Sequence, residues 1–407
     1  MGASRGDAMR VCVVAEHYPR RRDPVLGVWA HRQALAAREA GAEVRVLVLE
    51  RPVPPVSALR AARGGDLRPL ARTLRAYAAQ PRHEELDGLS VEYVRFLAPP
   101  RERGYGQWHA WAARPLARAL ERLHTAWPFD LVHAHYALPA GGATRPWCAR
   151  RGVPLVTSVH GGDVLGAQLT TPPARAAVAA VLRASAGVLA NSAATLDRAA
   201  ALAGSSEGMT VVHLGADART APKRPAPTVA TLGHLIPRKR HADVLRALHA
   251  ISERRPDLRW LVIGDGPTAP EIRRLAGGLG MADRVDLAGQ LPHERALEAL
   301  ASCELMALPS VDEAFGVAYV EAMACGVPAI GCRGEGGPDE IAALGPGLTL
   351  VEPGDVAGLA EVIEGLLQDP HTLAETARAA RRTATEHFGW ERCGHETVAA
   401  YARAVAP

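Results

Sequence analysis

Two glutamates, Glu313 and Glu321, stand eight residues apart within Pro309–Pro328, PSVDEAFGVAYVEAMACGVP. The apolar run Leu305–Leu308 before them reads as a strand, and the pattern predicts a helix from near Phe315–Gly316 to Gly326. Glu313 then lies in a short acidic loop and Glu321 two turns into the helix. If both were helical they would differ by about 80° around the axis, so they need not share a face. One in the loop and one in the helix, they can meet the near and far ends of a single ligand. A loop acid beside a solvated helix acid would have the same spacing. Ala314, Phe315 and Gly316 let the backbone approach a ligand closely, and Val317 follows them as a further donor-binding candidate. A helix start also presents unpaired N–H groups and the positive end of the helix dipole, which suits an anionic or hydroxyl-rich ligand.

Lys239 follows a strand-end glycine, Gly233, by six residues and is flanked by Arg238 and Arg240. Such a cluster suits a diphosphate. It is also what a solvated basic turn before the helix His241–Ile251 would look like. Gly264-Asp265-Gly266-Pro267 lacks the third glycine of a dinucleotide fingerprint and carries a proline after the second, which fits a tight strand-to-helix turn better than nicotinamide binding. His160 precedes Gly161-Gly162-Asp163 at a strand end, where it can hydrogen-bond a ligand or handle a proton, or serve structure alone. His133 and His135 share one face of a strand as zinc ligands would, yet no third ligand stands at a suitable spacing, so no metal is expected.

The elements that must position these residues alternate. Strand signals fall at Val11–Ala15, Val44–Leu49, Val91–Phe96, Leu131–Ala134, Leu155–Val159, Val188–Ala190 and Val211–Leu214, with helix-length stretches between. Asp217–Thr228, with three prolines and no apolar period, marks a linker. A second series follows at Val229–Leu232, Trp260–Ile263, Val285–Ala288, Leu305–Leu308, Ala329–Gly331 and Leu348–Val351, then a last helix over Gly389–Ala406. The pattern predicts two α/β domains, each a doubly wound parallel sheet. Ligands in such sheets bind outside the carboxyl ends of the strands, where the glycines and polar residues gather, and two such edges make a cleft.

The chain is long enough, at 407 residues, for two ordinary cores, and its 48% apolar and 22% charged content is that of a soluble globular protein. No apolar run reaches the roughly 20 residues of a membrane helix, and the N-terminus MGASRGDAMR has no apolar secretory region, so a cytoplasmic location is expected. Six scattered cysteines without zinc spacing fit buried thiols in a reducing compartment. The net charge of +4 does not argue for nucleic acid. Arg51–Trp127, however, holds 13 arginines against 7 acidic residues, a local excess of six. With Tyr105, Trp108, Trp111 and Trp127 among them, these charges suit peripheral contact with an anionic membrane at its inner face; a solvated helical face with aromatic core contacts explains them equally.

Together these residues resemble the family-4 retaining glycosyltransferases of the GT-B fold, also described as glycosyl transferases group 1. The likeness covers almost the whole chain. Its most specific part is the PS-x-x-E-x-FG-x-x-x-x-EAMA-x-G-x-P context of Glu313 and Glu321. Gly27, His160-Gly161-Gly162-Asp163, Gly264–Pro267, Gly336-Gly337 with Glu340-Ile341, Pro353-Gly354-Asp355 and the ending Phe388-Gly389-Trp390-Glu391 support it.

The resemblance implies two facing Rossmann-like domains, an acceptor-side domain over 1–216 and a donor-binding domain over 229–387, joined by 217–228. A C-terminal helix over 388–407 would cross back to the first domain. It implies transfer of a sugar from a UDP-, GDP- or similar nucleotide donor to a glycan, lipid-linked or small-molecule acceptor, as in cell-surface polysaccharide assembly, with retention and without a metal or other cofactor. Glu313 would approach the donor sugar, with the N–H groups of Phe315 and Gly316 on its hydroxyls. Glu321 would hold the ribose, Lys239 and the glycine loops the diphosphate, and Gln290 and Leu291 would lie near the base. His160 would touch the transferred sugar, Gly27 would help bind the donor, and His135 and Asp163 would lie on the acceptor side. One departure stands out: the arginine usual after the strand-end glycine is His234, and the glycine usual after the lysine is Arg240. A neutral imidazole cannot replace a permanent fork-shaped cation, so Arg238 or Arg240 is expected to supply the charge. An epimerase on the same fold and a non-catalytic nucleotide-sugar-binding protein are the alternative readings.

Overall fold

The computed structural model describes residues 8–52, 54, 56–98, 105–165, 169 and 171–406. The first unit comprises Met1–Asn191, Thr195–Val212 and Cys393–Pro407. Its strands are β1 (Arg10–Ala15), β2 (Glu43–Glu50), β3 (His83–Leu86), β4 (Leu89–Arg95), β5 (Leu131–His135), β6 (Leu155–Val159), β7 (Gly187–Ala190) and β8 (Met209–Val211). They form one sheet in the order β3-β4-β2-β1-β5-β6-β7-β8. The apolar strands β1, β5 and β6 are buried along nearly their full length, as expected of parallel strands covered on both faces.

Two strands depart from the sequence reading. β3 was not expected, and it pairs antiparallel with β4. Its sequence, HEEL, is too charged for an inner strand but tolerable at an edge. The turn that makes the hairpin is Asp87-Gly88, with φ of 49° and 76°, a short-range hairpin signal. β8 is also displaced toward the N-terminus: Val212 and Leu214 are buried just after the strand ends.

The aromatic residues of the arginine-rich segment divide. Trp108 and Trp127 belong to the core of the first unit, whereas Trp111 is 54% exposed. The first two are therefore unavailable to a membrane; residues 99–104, the Tyr105 side chain and residues 1–7 lie outside the described residues. Among the described residues no helix is long and apolar enough to cross a membrane. All six cysteines are buried and none is in a disulfide.

The last helix, Trp390–Val405, joins the first unit from Cys393 onward. Gly394 lies so close to the Ala36 carbonyl that an added Cβ would come within 2.2 Å of it. Gln33 Nε2 donates to Thr397 Oγ1 at 3.0 Å, and the Tyr401 hydroxyl lies 2.7 Å from His133 Nδ1.

The second unit comprises Ser192–Ala194 and His213–Arg392. Its strands β9 (Thr228–Leu232), β10 (Arg259–Ile263), β11 (Val285–Gly289), β12 (Leu305–Ala307), β13 (Ala329–Cys332) and β14 (Leu348–Val351) form a sheet in the order β11-β10-β9-β12-β13-β14, with every pairing parallel. The segment 217–227 has no regular element but is tied to this unit. Arg224 N donates to Ser302 O at 3.0 Å, Lys223 Nζ to Ala301 O at 3.2 Å, and Arg219 pairs with Glu294 at 3.2 Å.

Strand order also fixes where ligands can dock. In the second sheet the chain moves outward from β9 to β11 and returns to β12 on the other side, so the switch point lies between β9 and β12. In the first sheet the corresponding point lies between β1 and β5. The loops leaving these four strands carry most of the candidate residues.

Candidate active site

β9 delivers Gly233 and then a single turn of tight helix, Pro237–Lys239; β12 delivers Ser310 and Glu313. The switch point thus brings together side chains more than seventy residues apart. Lys239 Nζ lies 2.5 Å from Glu313 Oε2, Ser310 Oγ donates to the same oxygen at 2.8 Å, and Arg238 Nη1 stands 3.5 Å from it. The side chains of Lys239 and Glu313 are only 11% and 10% exposed. Burial alone would raise the Glu313 pKa, but Lys239, then Arg238 and the Ser310 hydroxyl hold it below the usual carboxylate value. The loop is braced from behind. Glu313 N donates to Glu335 Oε2 at 2.8 Å, and the Tyr319 hydroxyl, 3.0 Å from Ser310 Oγ, donates to Leu308 O at 2.5 Å.

The helix expected here runs Val317–Ala324, capped by Gly316 at φ 92°. Phe315 is buried, and Gly337 packs so tightly on it that a Cβ would sit 2.3 Å from Phe315 Cα. The N–H groups of Gly316 and Val317 stand where no intrahelical acceptor exists. Glu321, one turn further, has a different environment from Glu313. His293 Nε2 lies 3.8 Å from its Oε1, and Asp217 Oδ2 approaches the same imidazole at 3.9 Å. Burial pushes the Glu321 carboxyl up to about 7, with His293 opposing and Asp217 adding to the shift.

The remaining residues named from sequence on this unit separate by contact. Arg240 adopts φ 54°, in the left-handed region, and its Nε donates to Asp243 Oδ2 at 2.6 Å. It is paired there rather than with Glu313. His234 and Gln290 are exposed and Leu291 is half-buried, at the ends of β9 and β11. Gly264 and Gly266 serve loop packing: a Cβ would lie 2.0 Å from Gly233 O and 2.4 Å from Leu235 O respectively. The glycines let the loops after β9 and β10 touch.

On the first unit, Gly27 at φ 67° caps the helix Val28–Glu39, and a Cβ there would sit 2.2 Å from the His17 carbonyl. His160 and His135 meet at 3.1 Å, and the Trp29 ring centroid lies 4.1 Å from that of His160. Asp163 is wholly buried; its Oδ1 accepts from His160 N at 3.0 Å and its Oδ2 from Ala137 N at 3.0 Å. Burial raises its pKa to about 6 against those backbone bonds. With both oxygens occupied, it clamps the loops after β5 and β6 together. Among the described residues no group of three or more His, Cys, Asp or Glu side chains is placed to hold a metal ion.

Sequence reasoning missed Ser310, Tyr319, Glu335 and His293. Ser310 had a signal in its i,i+3 spacing to Glu313; the other three act through the fold.

A pair of doubly wound domains, with a lysine–carboxylate pair at the second switch point and a helix start beside it, defines an architecture for group transfer from an anionic donor. The profile described as Glycosyltransferase Family 4 matches residues 14–220, and that described as Glycosyl transferases group 1 matches residues 217–385. The chain belongs to glycosyltransferase family 4, with the GT-B fold, and is a glycosyltransferase. It is similar to D-inositol 3-phosphate glycosyltransferase 1 of Catenulispora acidiphila, 32% identical over 79% of this chain and 82% of that one. It is similar also to 2-deoxystreptamine glucosyltransferase of Streptomyces kanamyceticus, 28% identical over 73% and 83%. Among solved structures, HepE of Anabaena in complex with UDP and glucose superposes with a TM-score of 0.71 at 20% identity, covering 97% of this chain and 99% of that one.

Proposed function

We propose that the second unit binds a nucleotide-diphosphate sugar, UDP- or GDP-linked or similar, and that the enzyme transfers the sugar with retention and without a metal or other cofactor. The observation that carries this reading is the constellation of Lys239, Arg238 and Ser310 around Glu313 at the switch point. A diphosphate leaving group needs cations already in place, because electrostatic stabilisation without reorganisation is the largest catalytic term. Lys239 and Arg238 supply them. Glu313 is assigned to the donor sugar, the N–H groups of Phe315 and Gly316 to its hydroxyls, Glu321 to the ribose, and Gln290 and Leu291 to the base. His160 is assigned to the transferred sugar, with Gly27 and His135 shaping its surroundings. No carboxylate is assigned as a covalent nucleophile; the leaving phosphate assists front-face substitution.

The acceptor is a hydroxyl-bearing glycan, lipid-linked or small molecule. Two relatives that cover most of the chain are named for D-inositol 3-phosphate and 2-deoxystreptamine, both cyclic polyols, which favours the small-molecule class. Peripheral contact with anionic lipid from the cytoplasmic side rests on different residues. The helix Arg68–Ala79 has no buried residue, and Leu59, Leu67 and Leu74 are exposed among Arg60, Arg63, Arg72 and Arg75. Flotation with anionic vesicles at low salt tests this; absence of binding removes it.

The test of the main reading measures donor binding and turnover separately in Glu313→Gln. Donor bound by calorimetry with turnover lost supports it, whereas turnover at the wild-type rate overturns the role of Glu313. Incubation with donor alone should leave the sugar's configuration unchanged; an altered sugar would make the enzyme an epimerase.

A further inference from the structure

Three helices of this chain are capped by the short side chains that such positions favour: Thr171 accepts from Ala174 N, Asp355 from Gly358 N and Asp369 from His371 N. Glu335 stands at the same place before the helix Gly336–Leu344 and makes no bond of that kind. Its carboxylate reaches across to the loop after β12, where Oε2 accepts from Glu313 N at 2.8 Å. Two residues on, Gly337 N donates to Glu313 O at 3.4 Å. The turn Glu335-Gly336-Gly337 therefore grips the main chain of Glu313 on both of its polar groups.

The residue before Glu313 shows what that grip resists. Asp312 has φ 54°, in the left-handed region, which a residue with a Cβ adopts at a cost and keeps only where its surroundings impose it. Arg238 imposes the upstream half of the turn: its carbonyl accepts from Val311 N at 2.9 Å, and its Nη1 lies 3.3 Å from Asp312 O. The downstream half is held by Glu335.

We propose that Glu335 is a positioning residue for sugar transfer, which leaves its own helix uncapped in order to hold the left-handed turn that returns the Glu313 carboxylate to Ser310 and Lys239. The consequence for the reaction rests on the reading that Glu313 faces the donor sugar. Without the Glu335 oxygen, Glu313 N loses its acceptor and Asp312 is free to leave the left-handed region. The Glu313 carboxylate then moves off Lys239. Contacts assigned to the base and ribose, at Gln290, Leu291 and Glu321, do not pass through this turn. The chemical step should therefore suffer more than donor binding.

Glu335→Asp separates the two duties of the position. One methylene shorter, the side chain falls short of Glu313 N and suits the cap of its own helix. The unfolding midpoint should hold or rise, while kcat falls about 30-fold and the donor dissociation constant from calorimetry changes by less than about threefold. Hydrogen exchange read by mass spectrometry should quicken in peptides covering residues 310–316. Glu335→Gln keeps an acceptor of the same reach, so kcat should stay within about threefold of the wild type. Adding Asp312→Gly to Glu335→Asp removes the cost of the left-handed turn and should restore kcat at least about fivefold.

Unchanged exchange across 310–316 in Glu335→Asp overturns the proposal whatever the activity, and so does wild-type kcat in that variant. An equal loss of kcat in Glu335→Gln overturns it as well, since that variant keeps the hydrogen bond, as does a double variant no faster than Glu335→Asp. If Glu335→Asp does not fold, Glu335→Ala set against Glu335→Gln decides: a loss confined to the alanine variant supports the proposal, and equal rates overturn it. Wild-type turnover in Glu313→Gln would instead overturn the role of Glu313 in transfer and leave the grip on its main chain, read by exchange alone, standing.

Discussion

At the switch point of the second sheet the buried side chains are charged and paired, Lys239 with Glu313 at 2.5 Å and Arg238 close by. At that of the first sheet they are neutral rings: His135 and His160 are hydrogen-bonded to each other, and His133 to Ser158 and Tyr401. The two edges share a topology and differ in electrostatics. A diphosphate carries fixed charge and needs fixed cations facing it, whereas sugar hydroxyls need donors and acceptors at set positions and gain little from net charge. Buried charge is also costly to unbalance, and a neutral network is costly only where one bond is lost. Substitutions at the two edges should therefore fail in different ways.

The largest effect belongs to Glu313. Glu313→Gln keeps the shape and removes the charge, and kcat should fall about 10²–10³-fold in steady-state assays, the scale of losing a preorganised electrostatic contact. Next is Lys239→Met, which strands a buried carboxylate beside Arg238 alone. Denaturant unfolding should register about 3 kcal/mol of lost stability, and the donor KM should rise at least about tenfold. The double variant Lys239→Met with Glu313→Gln should recover most of the stability and none of the activity. Additive stability losses in that cycle would break the comparison, because they would mean the pair is not coupled.

Within the charged edge, the two glutamates differ in sign. Glu313 is held below the usual carboxylate value, so its contribution is present above the unfolded pKa and is lost as pH falls through the folded one. Glu321 is raised to about 7. The unfolded chain releases that proton near pH 4.3, so between about pH 4 and 7 the folded state binds more protons, and stability should fall as pH rises. Glu321→Gln should flatten the fall by about 3 kcal/mol across that window, read as unfolding midpoints at several pH values. A parallel pH profile in the variant would show that His293 and the ordered surroundings already keep Glu321 ionised.

Much of this was legible in sequence because apolar runs separated by helix-length segments specify parallel strands buried on both faces. The site stretch was legible for the same local reason: strand, Pro-Ser, acidic loop and helix start are contiguous, so Glu313 and Gly316 could be placed without tertiary knowledge. The edge strand His83–Leu86 was not, since its charges carry no burial pattern and only the Asp87-Gly88 turn announces it. Nor was the pairing of His135 with His160, which depends on the register of two strands twenty-five residues apart. For Trp108 and Trp127 the sequence left membrane contact and core contact equally open; both fill the core, with Arg51 stacked on Trp108 at 4.0 Å and Arg45 on Trp127 at 4.6 Å. The arginines next to a tryptophan are thus its cover as much as a sign of exposure.

The smallest expected effect concerns the charge missing at His234. Sequence left Arg238 and Arg240 as equal replacements, and the geometry separates them. Arg240 occupies a left-handed position where glycine is the usual residue, and its guanidinium is committed to Asp243 at 2.6 Å on its own side of the turn. Arg238 instead hydrogen-bonds Asp312 O at 3.3 Å and approaches Glu313 at 3.5 Å, so a diphosphate beside Lys239 would fall within its reach. Arg238→Ala should raise the donor KM about fivefold, as a part-exposed cation contributes about 1 kcal/mol. Arg240→Ala should leave KM within about twofold, and Arg240→Gly should raise the unfolding midpoint if relief of the left-handed strain exceeds the lost Asp243 contact. The reverse order of KM effects would mean that the turn 237–240 rearranges when donor binds, turning Arg240 away from Asp243, and the charged edge would then be assembled by its ligand rather than built in advance.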